Sequence, residues 1–268
     1  MYSRIATLWL FSSLALLGGC GTSPAPTSVT ATGTYPSLNG NWEFISSSLP
    51  TFNAAILDFT GALQSNGSGV TGTLHSFDLK NLQSPCVTLA QDLPTTGTVD
   101  TSGHLTLNIA IGGGTAVIKA SLTSNLQFPA VGSYVINGGT CTQPSSTAFA
   151  QQFLPLSGTF TGMFTSLGTT STTAVTAALV QTATPDADGL FPLAGTITLA
   201  GTCNITFSFT GGAVSGNEVN LFHQATYQSP NGEFTGASLP DGSGLVRANI
   251  AAYNASGCTD LSGSLKKQ

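Results

Sequence analysis

Short runs of strictly alternating apolar and polar residues leave this chain little choice of fold. Leu105, Leu107, Ile109 and Ile111 alternate with Thr106, Asn108 and Ala110. Ile205, Phe207 and Phe209 alternate with Thr206, Ser208 and Thr210. Ala116, Ile118, Ala120 and Leu122 form a third set, and Val246, Ala248 and Ile250 a fourth. A period of two sends one set to a buried face and the other to water, which is the pattern of a half-buried strand. Turn chemistry separates the runs: Ser65-Asn66-Gly67-Ser68-Gly69, Asp186-Ala187-Asp188-Gly189, Pro230-Asn231-Gly232 and Pro240-Asp241-Gly242-Ser243-Gly244. Ala54–Leu63 and Ala174–Ala183 are rich in alanine, yet each leads into a turn and a strand, so both are predicted to be strands. Ala148–Phe153 is the one stretch predicted to be a short helix.

Short strands joined by short turns make an antiparallel meander. A sheet with one apolar face must close on itself or fold over. The expectation is all-β, with small barrels preferred over sandwiches. The cysteines point to two copies. Cys86 and Cys141 are 55 residues apart, and so are Cys203 and Cys258. Leu38-Asn39-Gly40-Asn41-Trp42 parallels Leu156-Ser157-Gly158-Thr159-Phe160, and Gly72-Thr73-Leu74 parallels Gly195-Thr196-Ile197. Two tandem β domains are therefore expected at 38–153 and 154–268, each of ordinary domain size. Equal spacing predicts disulfides Cys86–Cys141 and Cys203–Cys258. The rival pairing, which symmetry also permits, is Cys86–Cys203 with Cys141–Cys258.

The start of the chain has another purpose. Arg4 is followed by a mostly apolar run from Ile5 to Leu17, and then by Gly18-Gly19-Cys20. The run is shorter than the roughly 20 residues a membrane-spanning helix needs, and it has the form of a secretory signal. Leu17-Gly18-Gly19-Cys20 resembles the lipobox of bacterial lipoproteins. The resemblance implies removal of residues 1–19, diacylglycerol on the Cys20 sulfur and acylation of its new amine. Stable anchoring takes two or more chains. Gly21, where an Asp would favour retention at the inner membrane, implies the outer membrane. Residues 20–37 then read as the lipidated cysteine and a Ser/Thr/Pro tether, about 50 Å long if extended. Gly40-Asn41-Trp42 is similar to the G-x-W of lipocalins, which implies a lipocalin-like barrel with Trp42 as a core aromatic.

Only 6% of residues are charged, with a formal net charge of −5, against roughly 25% in average soluble proteins. Without a basic patch there is nothing to neutralise phosphates, so nucleic acid is not expected as a partner. No G-x-S-x-G or H-E-x-x-H pattern occurs, and no strand leads through a P-loop or dinucleotide-type glycine pattern into a helix, so no catalytic residue, metal site or cofactor is predicted. His75, His104 and His223 read as surface or hydrogen-bonded strand residues, and Asp186 and Asp188 as turn residues. Glu43 should point away from Trp42 and Phe44, towards an edge or barrel mouth, and Asp58 towards solvent. Tyr134, Phe222, Tyr227 and Tyr253 are candidates for exposed aromatics. The expected role is a lipid-anchored, non-catalytic binding or interaction module for a glycan, a small apolar ligand or an envelope protein. The alternatives are a hydrolase with carboxylates at a barrel mouth and a purely structural envelope protein.

Overall fold

The computed structural model describes residues 34–46, 58–76, 92–111, 113–138, 143–166, 170–201, 203–222, 232–252 and 260–268. Gly33–Gln268 form one compact unit. The described residues hold strands and turns and no helix. Cys20, Cys86, Cys141, Cys258, His223, Tyr227 and Tyr253 lie outside them.

Eight antiparallel strands close a first barrel: β1 (Gly40–Ser46), β2 (Asp58–Asn66), β3 (Gly69–Ser76), β4 (Asp92–Val99), β5 (His104–Ile111), β6 (Gly114–Ser121), β7 (Ala130–Asn137) and β8 (Gln143–Phe153). Each pairs with its successor, and β8 returns to pair with β1. The second barrel comprises β9 (Ser157–Ser166), β10 (Thr172–Gln181), β11 (Phe191–Leu199), β12 (Ile205–Phe209), β13 (Gly211–Ser215), β14 (Glu218–Phe222), β15 (Gly232–Ser238), β16 (Gly244–Ala252) and β17 (Leu261–Lys267). Its nine segments make eight walls, because β12 and β13 lie along successive parts of β11 as two halves of one broken strand. The ring closes where β17 meets β9. Two closed antiparallel barrels in tandem are thus the architecture.

The two barrels repeat one another in detail. Leu38 and Leu156 are both fully buried, as are Trp42 and Phe160. Gly40 and Gly158 adopt φ of +136° and +129°, a region open to glycine and strained for other residues. Side chains from the closing strands lie against them, Gln152 of β8 and Lys267 of β17. Gly72 faces Leu63, and Gly195 faces Leu179. At each of these glycines an added Cβ would come within 2.1 Å of a carbonyl oxygen, of Ala62 and of Ala178. The copies differ in the link between their second and third walls, which is two residues in the first barrel (67–68) and nine in the second (182–190).

Among the described residues, large side chains occupy each interior. Trp42 stacks on Phe44 with ring centroids 5.9 Å apart, and its Nε1 donates to the Leu38 carbonyl at 2.8 Å. Leu74, Leu107, Ile118 and Tyr134 complete the centre of that core. Phe160, Phe164, Phe207, Phe209 and Phe234 dominate the second. Tyr134, one of the candidates for an exposed aromatic, is a core residue, pointing inward from β7 opposite β6.

Two sequence expectations fail locally. Ala148–Phe153 is the second half of β8 and not a helix. Ala148 and Ala150 face the core there, while Phe149 and Gln151 face outward. On β16 the inward set is Leu245, Ala248 and Ile250, not Val246, Ala248 and Ile250. A bulge between Leu245 and Ala248 shifts the alternation, and Arg247 takes a φ of +50° within it.

Candidate functional site

The barrels meet along a seam, where one end of the second barrel abuts the outer wall of the first. Outward residues of β1 and β2 receive the tight β13–β14 turn. Asn41 Nδ2 donates to the Gly216 carbonyl at 2.7 Å, and Gly216 N donates back to Asn41 Oδ1 at 2.6 Å. The Thr60 and Ser215 hydroxyls are 2.7 Å apart. Gly216 is required by close approach, since an added Cβ would lie 2.6 Å from Thr60 Cγ2. Ala62, also on the outside of the first barrel, packs into the core of the second. The link between β8 and β9 is held as well, by Leu154 N donating to the Pro240 carbonyl at 2.8 Å.

His75 ties the seam on β3. It is 5% exposed. Its Nδ1 is 3.1 Å from Asp92 Oδ1, and its Nε2 bonds to the Asp188 carbonyl across the seam. The 182–190 link that carries Asp188 is shaped by Asp186, whose Oδ1 accepts from Asp188 N at 3.0 Å and Leu190 N at 2.9 Å. Asp186 and Asp188 are therefore turn residues. His104 is exposed, with Nδ1 2.9 Å from Asp100 Oδ2. Among the described residues no group of three or more His, Cys, Asp or Glu side chains could hold a metal ion.

Glu43 and Asp58 are brought together by the strand register. Glu43 lies opposite Thr60 and Asp58 opposite Ile45, so the two acids are diagonal neighbours on the outer face of β1–β2. Both face outward from the wall, and Asp58, the first residue of β2, does not stand free in solvent. Both are half-buried beside the seam, as is Glu218 of the second barrel. Burial, then the Glu218 carboxylate, lifts the Glu43 pKa to about 7, with Arg247 opposing. Burial, then Glu43 and Glu218, lifts Asp58 to about 8. Burial raises Glu218. Among the described residues none of the three has a cation within 4.0 Å.

Next to these acids the outer wall of the first barrel is apolar. Val131 of β7, Phe149 of β8 and Ile45 of β1 are aligned across three strands, and Asp58 of β2 continues the row. A hollow of about 170 Å³ opens there, lined by Glu43, Ile45, Pro129, Phe149 and Gln151. Phe128 and Val131 flank it, 65% and 62% exposed. Sequence reasoning singled out Glu43 and Asp58 but missed Glu218, Arg247 and the Phe128–Phe149 surface. The available signal was the outward position of Phe149 in an alternating strand, which reading Ala148–Phe153 as a helix concealed.

The fold defines a protein of two tandem eight-walled antiparallel barrels with an acidic, apolar-floored groove on its outside. No family model, no curated protein and no solved structure matches the chain.

Proposed function

We propose that this chain is a lipid-anchored protein of the bacterial cell envelope, acting as a non-catalytic binding module on the outer membrane. The observation that carries the reading is the filling of both barrels. With Trp42, Phe44 and Tyr134 in one and six phenylalanines, Phe191 among them, in the other, recognition is left to the outer walls. Lipid at Cys20 and the 20–37 tether would hold those walls off the membrane. The glycan, apolar ligand or envelope protein expected as partner would then meet a surface, not a barrel lumen. The test is equilibrium binding of the full chain to envelope glycans, peptidoglycan fragments, lipids and peptides, alongside a hydrolase substrate panel. Saturable binding without turnover is expected. Turnover lost in Glu43→Gln or Asp58→Asn would overturn the reading in favour of a hydrolase, which the proximity of these two acids favours as the second reading. For the anchor, mass spectrometry of protein from native cells should find a diacylated or triacylated peptide starting at Cys20, and a free Cys20 thiol would refute it.

The proposal includes disulfides Cys86–Cys141 and Cys203–Cys258. Cys203 is a described residue and packs against the second core. In both barrels the cysteines fall in sequence between the third and fourth walls and between the seventh and eighth. In an up-and-down barrel these links leave the same end. The seam uses the opposite end of the second barrel, which puts Cys203 about 25–30 Å along β11 from it. A bridge needs Cα atoms within about 7 Å, so the geometry supports pairing within each barrel.

A further inference from the structure

We propose that the groove on the outer wall of the first barrel is a docking site for a partner protein's basic side chain, Lys or Arg, carried on an apolar-flanked segment that lies across β7, β8 and β1. The inference rests on the binding-module reading and names its partner. Three observations carry it. The first is shape. A hollow of about 170 Å³ is below the roughly 300–1,000 Å³ of sites for drug-sized ligands, and suits one inserted side chain. The second is the floor. Ile45, Phe149 and Pro129 offer an apolar surface for the methylene stem of a long basic residue, and Phe128 and Val131 stand beside it, exposed, to receive apolar neighbours. Surface aromatics and aliphatics contiguous over three strands mark contact sites. The third is charge. Glu43 lines the hollow, and Asp58 ends the same cross-strand row.

The charged groups that face these two acids decide the sign of the partner. Glu43 is faced by Glu218 of β14, which opposes its ionisation, and by Arg247 of β16, which favours it. Asp58 is faced by the carboxylates of Glu43 and Glu218. Arg247 is exposed and lines a separate hollow with Glu218. An arriving cation would supply the compensation the acids lack and release their protons. Binding therefore tightens as pH rises through the range where Glu43 and Asp58 ionise. An acidic segment would be repelled, and a purely apolar one would leave the acids desolvated and unpaired.

The experiment uses the full chain in detergent and three fluorescent peptides: acetyl-Leu-Lys-Phe-Lys-Leu-amide, its Glu-for-Lys counterpart and its norleucine-for-Lys counterpart. Fluorescence anisotropy is recorded at pH 5.5 and pH 8.5. Only the Lys peptide should bind, at least tenfold tighter at pH 8.5. Glu43→Gln with Asp58→Asn should weaken it at least tenfold at pH 8.5 and abolish the pH dependence. Phe128→Ser with Val131→Ser, both at exposed positions, should weaken it at either pH with the melting temperature unchanged. Equal binding of the norleucine or Glu peptide, or Lys-peptide binding indifferent to both double variants, overturns the proposal. No peptide binding, together with saturable binding of a glycan or lipid that both double variants retain, overturns the groove while leaving the binding module standing. Turnover lost in the acid variants overturns both.

Discussion

Asn41 shows how one side chain can serve two barrels. It sits between Trp42, which points into the first core, and Gly40, whose unusual backbone opens β1. Pointing outward, it is still only 2% exposed, because both its amide groups are used by Gly216. Asn41→Ala leaves the buried Gly216 N–H and carbonyl without these partners, a loss of about 2–3 kcal/mol. Chemical denaturation should show it as a lowered midpoint. Trp42→Ala acts through the core instead and should cost about 3–5 kcal/mol. Unlike Asn41→Ala, it should also abolish the fixed near-ultraviolet signal of the Trp42–Phe44 stack. Neither acid of the groove was legible as a groove residue from its neighbours in sequence. That Glu43 opposes Trp42 follows from a period of two. That Glu218, 175 residues away, approaches it depends on how the barrels dock.

At the scale of elements, alternation proved reliable where the inward residues are large and the outward ones polar. β5 illustrates this, with Leu105, Leu107, Ile109 and Ile111 buried and His104, Thr106, Asn108 and Ala110 turned outward. The second half of β8 hid itself because the rule is inverted there. Small Ala148 and Ala150 face the crowded core while Phe149 lies outside, so composition resembles a helix and the period is masked. On β16 the bulge moved the register by one, which no periodicity can foresee. The strained Arg247 at that bulge gives an element-scale prediction. Arg247→Gly should relieve the positive φ and remove the charge opposing Glu43's neighbours. Thermal stability at pH 5, where the acids hold their protons, should then rise by up to about 1 kcal/mol. At pH 8.5 the gain should shrink or reverse. Equal gains at both pH values would contradict a link between Arg247 and the acids. The disulfides belong to this scale too. Non-reducing peptide mapping should recover Cys86 with Cys141 and Cys203 with Cys258, and a cross-linked peptide joining the two barrels would refute that pairing.

For the whole molecule, the seam makes stability a function of pH. Glu43 and Asp58 hold their protons more tightly in the folded protein, with pKa values of about 7 and about 8 in place of 4.5 and 3.8. Unfolding therefore releases protons between those limits. The stabilising contribution is fully present below about pH 4, falls as pH rises through the folded values, and levels off above about pH 8. Asp100 and Asp241 run the other way, held down chiefly by hydrogen bonds from His104 and Ser243. Their contribution is lost only as pH falls through their own lowered values, and both are solvent-exposed, so they shape the acid limb weakly. Urea titrations of the full chain should accordingly show the midpoint declining from pH 4.5 to pH 8.5. Glu43→Gln or Asp58→Asn removes one buried carboxylate from a site holding three. Each should flatten the decline and leave the protein more stable than the parent at pH 8.5, on the order of 2 kcal/mol once relaxation of the seam is allowed for. At pH 4.5 the variants and parent should nearly coincide. A parent whose midpoint is flat or rising across that range, or variants destabilised equally at both ends of it, would show that the three acids do not share a desolvated seam.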